Sequence, residues 1–537
     1  MGAALNKNLL IAAAAVLLFV PFLGAVHLFD WDEINFAECA REMIVSGDYS
    51  TVQINFQPFW EKPPLFIWMQ AASMHLFGVN EFAARFPNAV CGIITLIVLF
   101  NIGRNIYDAR FGLLWALAFA GSILPHFYFK SGIIDPWFNL FIFLGIHHFI
   151  LFSGKVGGTK RIIYSACFIS LAMLTKGPVA LLVFLLCAGV FYLVGRFRGF
   201  PGIFQIGLYL AVIVSIGGLW FFSLLLSGKQ EVFFDFIEYQ VRLFSTEEAG
   251  HGGPFYYHFI VLLLGCFPAS VFMIRALRRG QDPDFARHYR KWMLILFWTV
   301  LLLFSIVETK IIHYSSLCWF PLTYLAAYAM YKLMNGDLQW KRWMSFLLLA
   351  LGTVWGLLFT GLQFVDRYKE TIIASGIIKD PFAVENLKAE VHWSGWEFLV
   401  GAFFLSGVLF AVYLITRGNM KGIIILFACT LITTNLAVLV FAPRIEQYTQ
   451  GAAIEFYRSK SDELCRVETI HFKSYAQYFY KRTTSSTGYF QGWDTSGKKG
   501  EPFYFVSKIQ DAEKVKSINP SWEELYRKNG FVFWERK

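Results

Sequence analysis

The sequence predicts an all-α polytopic membrane protein of about thirteen spanning helices, followed by a small polar region at the carboxy end. Three observations carry this. Of 537 residues, 56% are hydrophobic and only 16% charged, with a mean hydropathy of +0.51, well outside the range of soluble domains. Apolar runs of bilayer-spanning length recur along the chain. Lys and Arg collect on alternate connections between those runs.

In order, the runs lie near residues 9 to 28, 88 to 103, 112 to 128, 133 to 152, 162 to 174, 179 to 195 and 203 to 226. After a polar interval they resume near 257 to 274, 292 to 307, 314 to 331, 343 to 364, 395 to 415 and 422 to 441. They are longer and more uniformly apolar than the alternating strands of a membrane barrel. A backbone in hydrocarbon must satisfy its own hydrogen bonds, so they read as helices. Only Lys7 precedes the first run and no small-residue cleavage site follows it. The run is therefore expected to be retained, with its amino end cytoplasmic.

From that start, the inner connections hold Arg104 and Arg110; Lys155, Lys160 and Arg161; Arg196 and Arg198; Arg275, Arg278, Arg279, Arg287, Arg290 and Lys291; Lys341 and Arg342; and Arg417 and Lys421. The net charge of +10 is thus mostly topology facing lipid headgroups, and nucleic acid is set aside as a partner. Of the eight cysteines, only Cys39 and Cys465 fall in polar outer segments; a disulfide between them stays open. No internal repeat and no inverted pair of broken spans points to a transporter. Residues 1–442 are expected to form the membrane domain, its first outer loop at 29–87. Residues 443–537, with aromatic runs between Gly, Ser and Asp turns, are expected to form a small α/β domain on the same outer face.

Chemistry gathers on that face. Asp30, Asp32 and Glu33 follow the first span directly. Apolar residues from Phe36 to Ile44 then recur at helical spacing, predicting an amphipathic helix that lies on the membrane surface and roofs a cavity. Glu61 and Lys62 precede Pro63 and Pro64, which suit a rigid turn into a second interfacial helix. Asp135 begins the fourth span, and Lys176 stands in TKGP. Arg242 and His251 occupy the loop at 227–256, and Lys310 and His313 lie in ETKIIHY. Any one of these, taken alone, is more often an anchor or a solvated loop charge than a catalyst. Together, cations and separated carboxylates at a lipid boundary suit a substrate with a phosphate at the headgroup plane and a greasy tail: a polyprenyl-phosphate-linked sugar.

These residues resemble the GT-C glycosyltransferases of the protein mannosyltransferase superfamily, glycosyltransferase family 39-like, and among them the bacterial lipid A aminoarabinose transferases. The resemblance rests on the Asp32–Glu33 pair with the following AECAREMIVSGDY, on EKPP at Glu61 to Pro64, FGVNEFAARFPNAV at 77 to 90, TKGP at Lys176, and HGGPFYYH from His251. It implies a GT-C fold with a periplasmic catalytic face in a bacterial inner membrane. It makes Asp32 the principal catalytic carboxylate, with Glu33 beside it and Asp135 organising the pocket. Lys62 and Lys176, joined by Arg242 and Lys310, would bind the donor phosphate. Glu61 and His251 could share a zinc ion; no nucleotide cofactor is implied. Where those relatives commonly carry an Arg-Tyr after the acidic pair and a Tyr before EKPP, this chain has Asn35, Phe36 and Phe59. Lost charge-assisted and phenolic hydrogen bonds imply different donor contacts. His313 is a further pocket candidate.

The expected reaction is an inverting transfer of a sugar from undecaprenyl phosphate to an envelope acceptor such as lipid A or another glycolipid. Ser or Thr hydroxyls of exported proteins are the alternative acceptor, and a lipid-linked sugar flippase is the alternative of another class. A flippase should spread its polar residues through the bilayer depth, whereas these cluster on one face.

Overall fold

A computed structural model describes residues 2–245, 252–277, 282–484, 502–518 and 520–536. Every predicted apolar run contains helix, although the first helix ends at Phe19 and the run near 257 to 274 is broken between Gly265 and Ala269. Among the described residues six helices qualify as spans by length and apolarity, or eight if two bent pairs, Ile203–Leu226 and Tyr257–Ala276, each cross once. Others, such as Ala109–Ala120 and Val179–Val194, are shorter apolar helices; the expected thirteen is not reached on that criterion. The core of the bundle is aromatic, with Trp115, Trp292, Tyr289 and Tyr324 fully buried and Phe191 stacked on Trp292 at 4.2 Å.

In the first outer loop, helix Asp32–Ser46 forms where the periodicity predicts it, but in a different setting. Residues 33 to 43 are buried throughout. Its polar side faces protein, where Arg41 and Glu38 form a buried bidentate pair at 2.6 and 2.7 Å. The reason is that the carboxy-terminal region lies over it: its apolar residues share one core with Tyr457, Tyr478, Phe479 and Phe533. Pro64 occupies the cap position of helix Leu65–Phe77, as the double proline predicts.

Beyond the bundle, helix Lys421–Thr449 continues through Pro443, past the expected boundary. A four-stranded sheet follows, comprising β1 (Arg466–Ile470), β2 (Phe503–Lys508), β3 (Trp522–Lys528) and β4 (Phe531–Arg536), in the order β1-β2-β4-β3. β1 runs parallel to β2, and the other pairs are antiparallel. Polar bonds fasten this region to the start of the first loop. The Tyr480 hydroxyl accepts from Leu28 N at 2.7 Å, and Gln450 donates to Leu28 O at 2.8 Å and accepts from Asp30 N at 3.2 Å. All eight cysteines are free, Cys39 and Cys465 included.

Candidate active site

A cavity of about 960 Å³ opens where the first loop, several helix ends and the carboxy-terminal region meet. Asp32, Phe36, Glu61, Lys62, Asp135, Lys176, Arg242 and His313 all line it. Eight sequence-predicted residues from six separate segments are therefore brought together. Phe138, Val179, Val183 and Leu317 supply an apolar wall.

Asp32 is the first residue of its helix and remains partly open, its carboxylate 3.8 Å from His313 Nε2. Asp135 likewise begins its helix, followed by Pro136, and is buried against Lys176 at 2.6 Å. Only one Asp135 oxygen is used in this pair; the other is buried without a partner. Lys176 ends helix Lys160–Lys176, and Gly177 at φ 98° turns the chain into the helix begun at Val179. A left-handed backbone there favours glycine, and a Cβ would stand 3.2 Å from Phe236. The Lys176 ammonium also lies 5.6 and 5.7 Å from the rings of Phe138 and Tyr314. Lys62 sits 5.3 Å from the ring of Tyr239. Burial pulls its ammonium below the ordinary lysine range, with Glu61 opposing and Lys176 reinforcing the shift.

Four predicted residues fall elsewhere. Glu33 faces the interior, bound bidentately by Arg85 at 2.9 and 2.8 Å and accepting from the backbone of Gly132 and Phe29 at 2.5 and 2.9 Å. Burial would raise its carboxyl, but these contacts hold it below its ordinary value. Its donors are spent on structure. Lys310 turns back to donate to the carbonyls of Ser305 at 2.8 Å and of Val307. It satisfies the end of helix Asp284–Ile306, where the last carbonyls lack helical partners. Asn35 is buried, 3% exposed, and Phe59 packs edge-on against Tyr475 at 6.3 Å; neither lines the cavity. His251 lies outside the described residues, among which no three His, Cys, Asp or Glu gather in one place. The neighbouring carboxylate Asp30 is raised to about 6 by burial, against a hydrogen bond from Ser474.

The structure adds residues the sequence reading missed. Helix Gln230–Ser245 brings Tyr239 and Gln240 beside Arg242. Val232, Phe236 and Tyr239 recur at helical spacing and are buried, so this helix was legible within a segment read as loop. Its start is pinned to the first loop by Lys229, which pairs with Asp48 at 2.8 Å and donates to Thr51. Trp31 and Lys473 also line the cavity, the Lys473 ammonium 5.1 Å from the Trp31 ring. Nothing local in the sequence marks Lys473, because it arrives from the carboxy-terminal region.

Residues 61–223 match the family described as Dolichyl-phosphate-mannose-protein mannosyltransferase. Among curated proteins, the chain is 29% identical over 342 residues to an undecaprenyl phosphate-alpha-4-amino-4-deoxy-L-arabinose arabinosyl transferase of Sodalis glossinidius, covering 61% of this chain and 59% of that protein. It is 27% identical to the corresponding transferase of Edwardsiella ictaluri, covering 59% and 58%. The chain thus spans somewhat under two thirds of the curated relatives' length. In structure, it is similar to ArnT of Cupriavidus metallidurans bound to undecaprenyl phosphate, with a TM-score of 0.79, 18% identity and 98% and 97% of the two chains covered. The apo form of that protein gives a TM-score of 0.78 at 20% identity, covering 99% and 98%. The fold is that of a GT-C glycosyltransferase in a multi-pass membrane protein.

Proposed function

We propose that this chain, GT-C in fold and related in sequence to undecaprenyl-phosphate-dependent arabinosyl transferases, is an inverting glycosyltransferase that moves a sugar from a polyprenyl phosphate to an envelope glycolipid. The observation that carries the reading is the cavity itself. One space holds a partly open carboxylate at Asp32, cations at Lys62, Lys176 and Arg242, and an apolar wall at Val179, Val183 and Leu317. A phosphorylated lipid needs the last two features together, and glycosyl transfer to a hydroxyl needs the first.

In the proposed reaction an acceptor oxygen forms the new bond to the anomeric carbon from the face opposite the donor. The bond from that carbon to the phosphate oxygen breaks, its electron pair leaves with the polyprenyl phosphate, and the configuration inverts. Lys62 and Arg242 stabilise that growing charge, which is electrostatic catalysis. Lys176, already paired with Asp135, contributes position more than net charge. Where the acceptor is a hydroxyl, Asp32 takes its proton, with His313 beside the carboxylate. Both partners are held in one orientation, which removes most of the entropic barrier. A pentose donor fits the relatives' names, and a periplasmic site fits the proposed outer face.

Asp32→Asn is expected to fold normally and to lower transfer by about a hundredfold to ten-thousandfold, the usual contribution of a general base. Lys62→Ala is expected to lower kcat/KM for the donor, with kcat falling as well as the donor KM rising. Purified variants given a polyprenyl-phosphate sugar, with products read by lipid mass spectrometry, provide the check; wild-type turnover in Asp32→Asn sinks the assignment. The same measurement on envelope lipids and glycoproteins of cells with and without the gene separates a glycolipid acceptor from Ser or Thr of exported proteins. A zinc ion shared by Glu61 and His251 is a separable part of the proposal, and imidazole with carboxylate is a chemically fitting donor pair. Elemental analysis of purified protein should show zinc in wild type and its loss in Glu61→Gln; equal metal content in both removes it.

A further inference from the structure

Two helices that begin at the catalytic cavity end at a second one. Helix Asp135–Ser153 enters the first cavity with Asp135 and the second with Ser153; helix Val179–Val194 does so with Val179 and Val194. Nineteen residues at the helical rise separate the two spaces by roughly 28 Å, about the thickness of the hydrocarbon core. The second cavity, of about 500 Å³, therefore opens on the opposite face, out of reach of the proposed reaction.

Its wall is cationic and mostly polar. Arg196 and Arg198 come from the turn after Val194, and His288, Ser153, Tyr192 and Phe191 complete it. Consecutive left-handed residues, Arg196 at φ 53° and Phe197 at φ 56°, form that turn, a conformation side-chain-bearing residues seldom adopt. No carboxylate lines the cavity. Among the described residues neither guanidinium has an ion-pair or hydrogen-bond partner, unlike Arg85 or Arg444. In the same wall Tyr192 is 2% exposed, and among the described residues its hydroxyl has no partner, which is uncommon for a buried polar group. In the segment that carries the two arginines, Leu193, Phe197, Phe200 and Ile203 are exposed. Two unpaired arginines, an unused buried hydroxyl and a greasy flanking segment at a membrane face share one complement.

We infer that this second cavity binds a phosphate-bearing anion, supplied either by the headgroup of an anionic glycerophospholipid or by soluble phosphate. Arg196 and Arg198 would hold the phosphate, with the Tyr192 hydroxyl donating from below. The inference does not depend on the glycosyltransferase reading.

The test uses delipidated full-length protein, with phosphatidylglycerol or phosphatidylcholine adducts counted by native mass spectrometry and thermal shifts recorded in inorganic phosphate. Phosphatidylglycerol should be retained over phosphatidylcholine, and R196Q/R198Q should weaken that retention about tenfold or more. K341Q/R342Q, which neutralises an exposed basic pair on the same face outside the cavity, should leave it unchanged. Stabilisation by phosphate without lipid adducts, lost in R196Q/R198Q, identifies soluble phosphate as the source. Tyr192→Phe, which keeps the ring and removes only the hydroxyl, should weaken whichever ligand binds and serves if the double variant fails to fold. Equal responses of wild type, R196Q/R198Q and Tyr192→Phe to both ligands overturn the proposal.

Discussion

Asp32 and Glu33 are neighbours in sequence and receive opposite environments. A helix turns by about 100° per residue, so one carboxylate meets the cavity while the other meets Arg85 in the protein interior. Position at the end of the first span marked both; only the packed partner separates them. Glu42 is the fourth acid of this helix and carries a strongly displaced titration. Burial, with Glu38 adjacent, pushes its carboxyl up to about 9, while its oxygens accept from the backbone of Asn55 and Phe56 at 2.5 and 2.7 Å. Because the folded value lies above the unfolded one, its stabilising contribution is fully present below the ordinary glutamate pKa and declines as pH rises toward 9. Glu42→Gln, which mimics the protonated form, is expected to flatten that decline. Melting temperatures of the two proteins in detergent from pH 5 to about 9 check it; parallel curves refute it.

Among elements, the segment that the sequence left as loop, helix Gln230–Ser245, sets much of the cavity's shape. It carries Tyr239, Gln240 and Arg242, rests on Trp220 and Leu224 through Val232 and Phe236, and is anchored at Lys229. Its contact with the TKGP turn gives a prediction at this scale. Gly177→Ala demands a left-handed alanine, at about 1–3 kcal/mol, and puts a methyl against Phe236. Donor KM is expected to rise as the helix shifts, with the melting temperature falling by a few degrees; unaltered donor kinetics would show that the helix does not position Arg242. Helix Asp32–Ser46 gives the complementary lesson. Its period was readable from Phe36 onward, yet apolar spacing alone could not distinguish a membrane surface from a protein lid as the partner of that face.

For the molecule as a whole, the carboxy-terminal region is a structural part of the site. Tyr480 and Gln450 fix the backbone at Leu28, Tyr478 bonds Glu468 at 2.8 Å and accepts from Asn55 at 3.3 Å, and Lys473 reaches the cavity. Removing residues 451–537 would uncover the core shared with Cys39, Ala40 and Met43. The truncated protein is expected to lose transfer and a monodisperse profile together. A folded, active truncation would show instead that this region is separable from the site.

The sequence by itself determined the bundle, the face on which its polar groups collect, and six segments that meet at the cavity. These follow from local rules: a run of apolar residues must cross or bury, and a charge beside it must sit at the boundary. Tertiary structure decided which charges face the substrate space. Glu33 is withdrawn by Arg85, Lys310 by carbonyls of its neighbouring helix, and Asn35 and Phe59 by packing, while Trp31, Tyr239 and Lys473 enter. The physical reason is that a charged side chain takes the partner that best repays its desolvation; Arg85 lies 52 residues from Glu33 and Lys473 arrives from the carboxy-terminal region, where no local pattern records either.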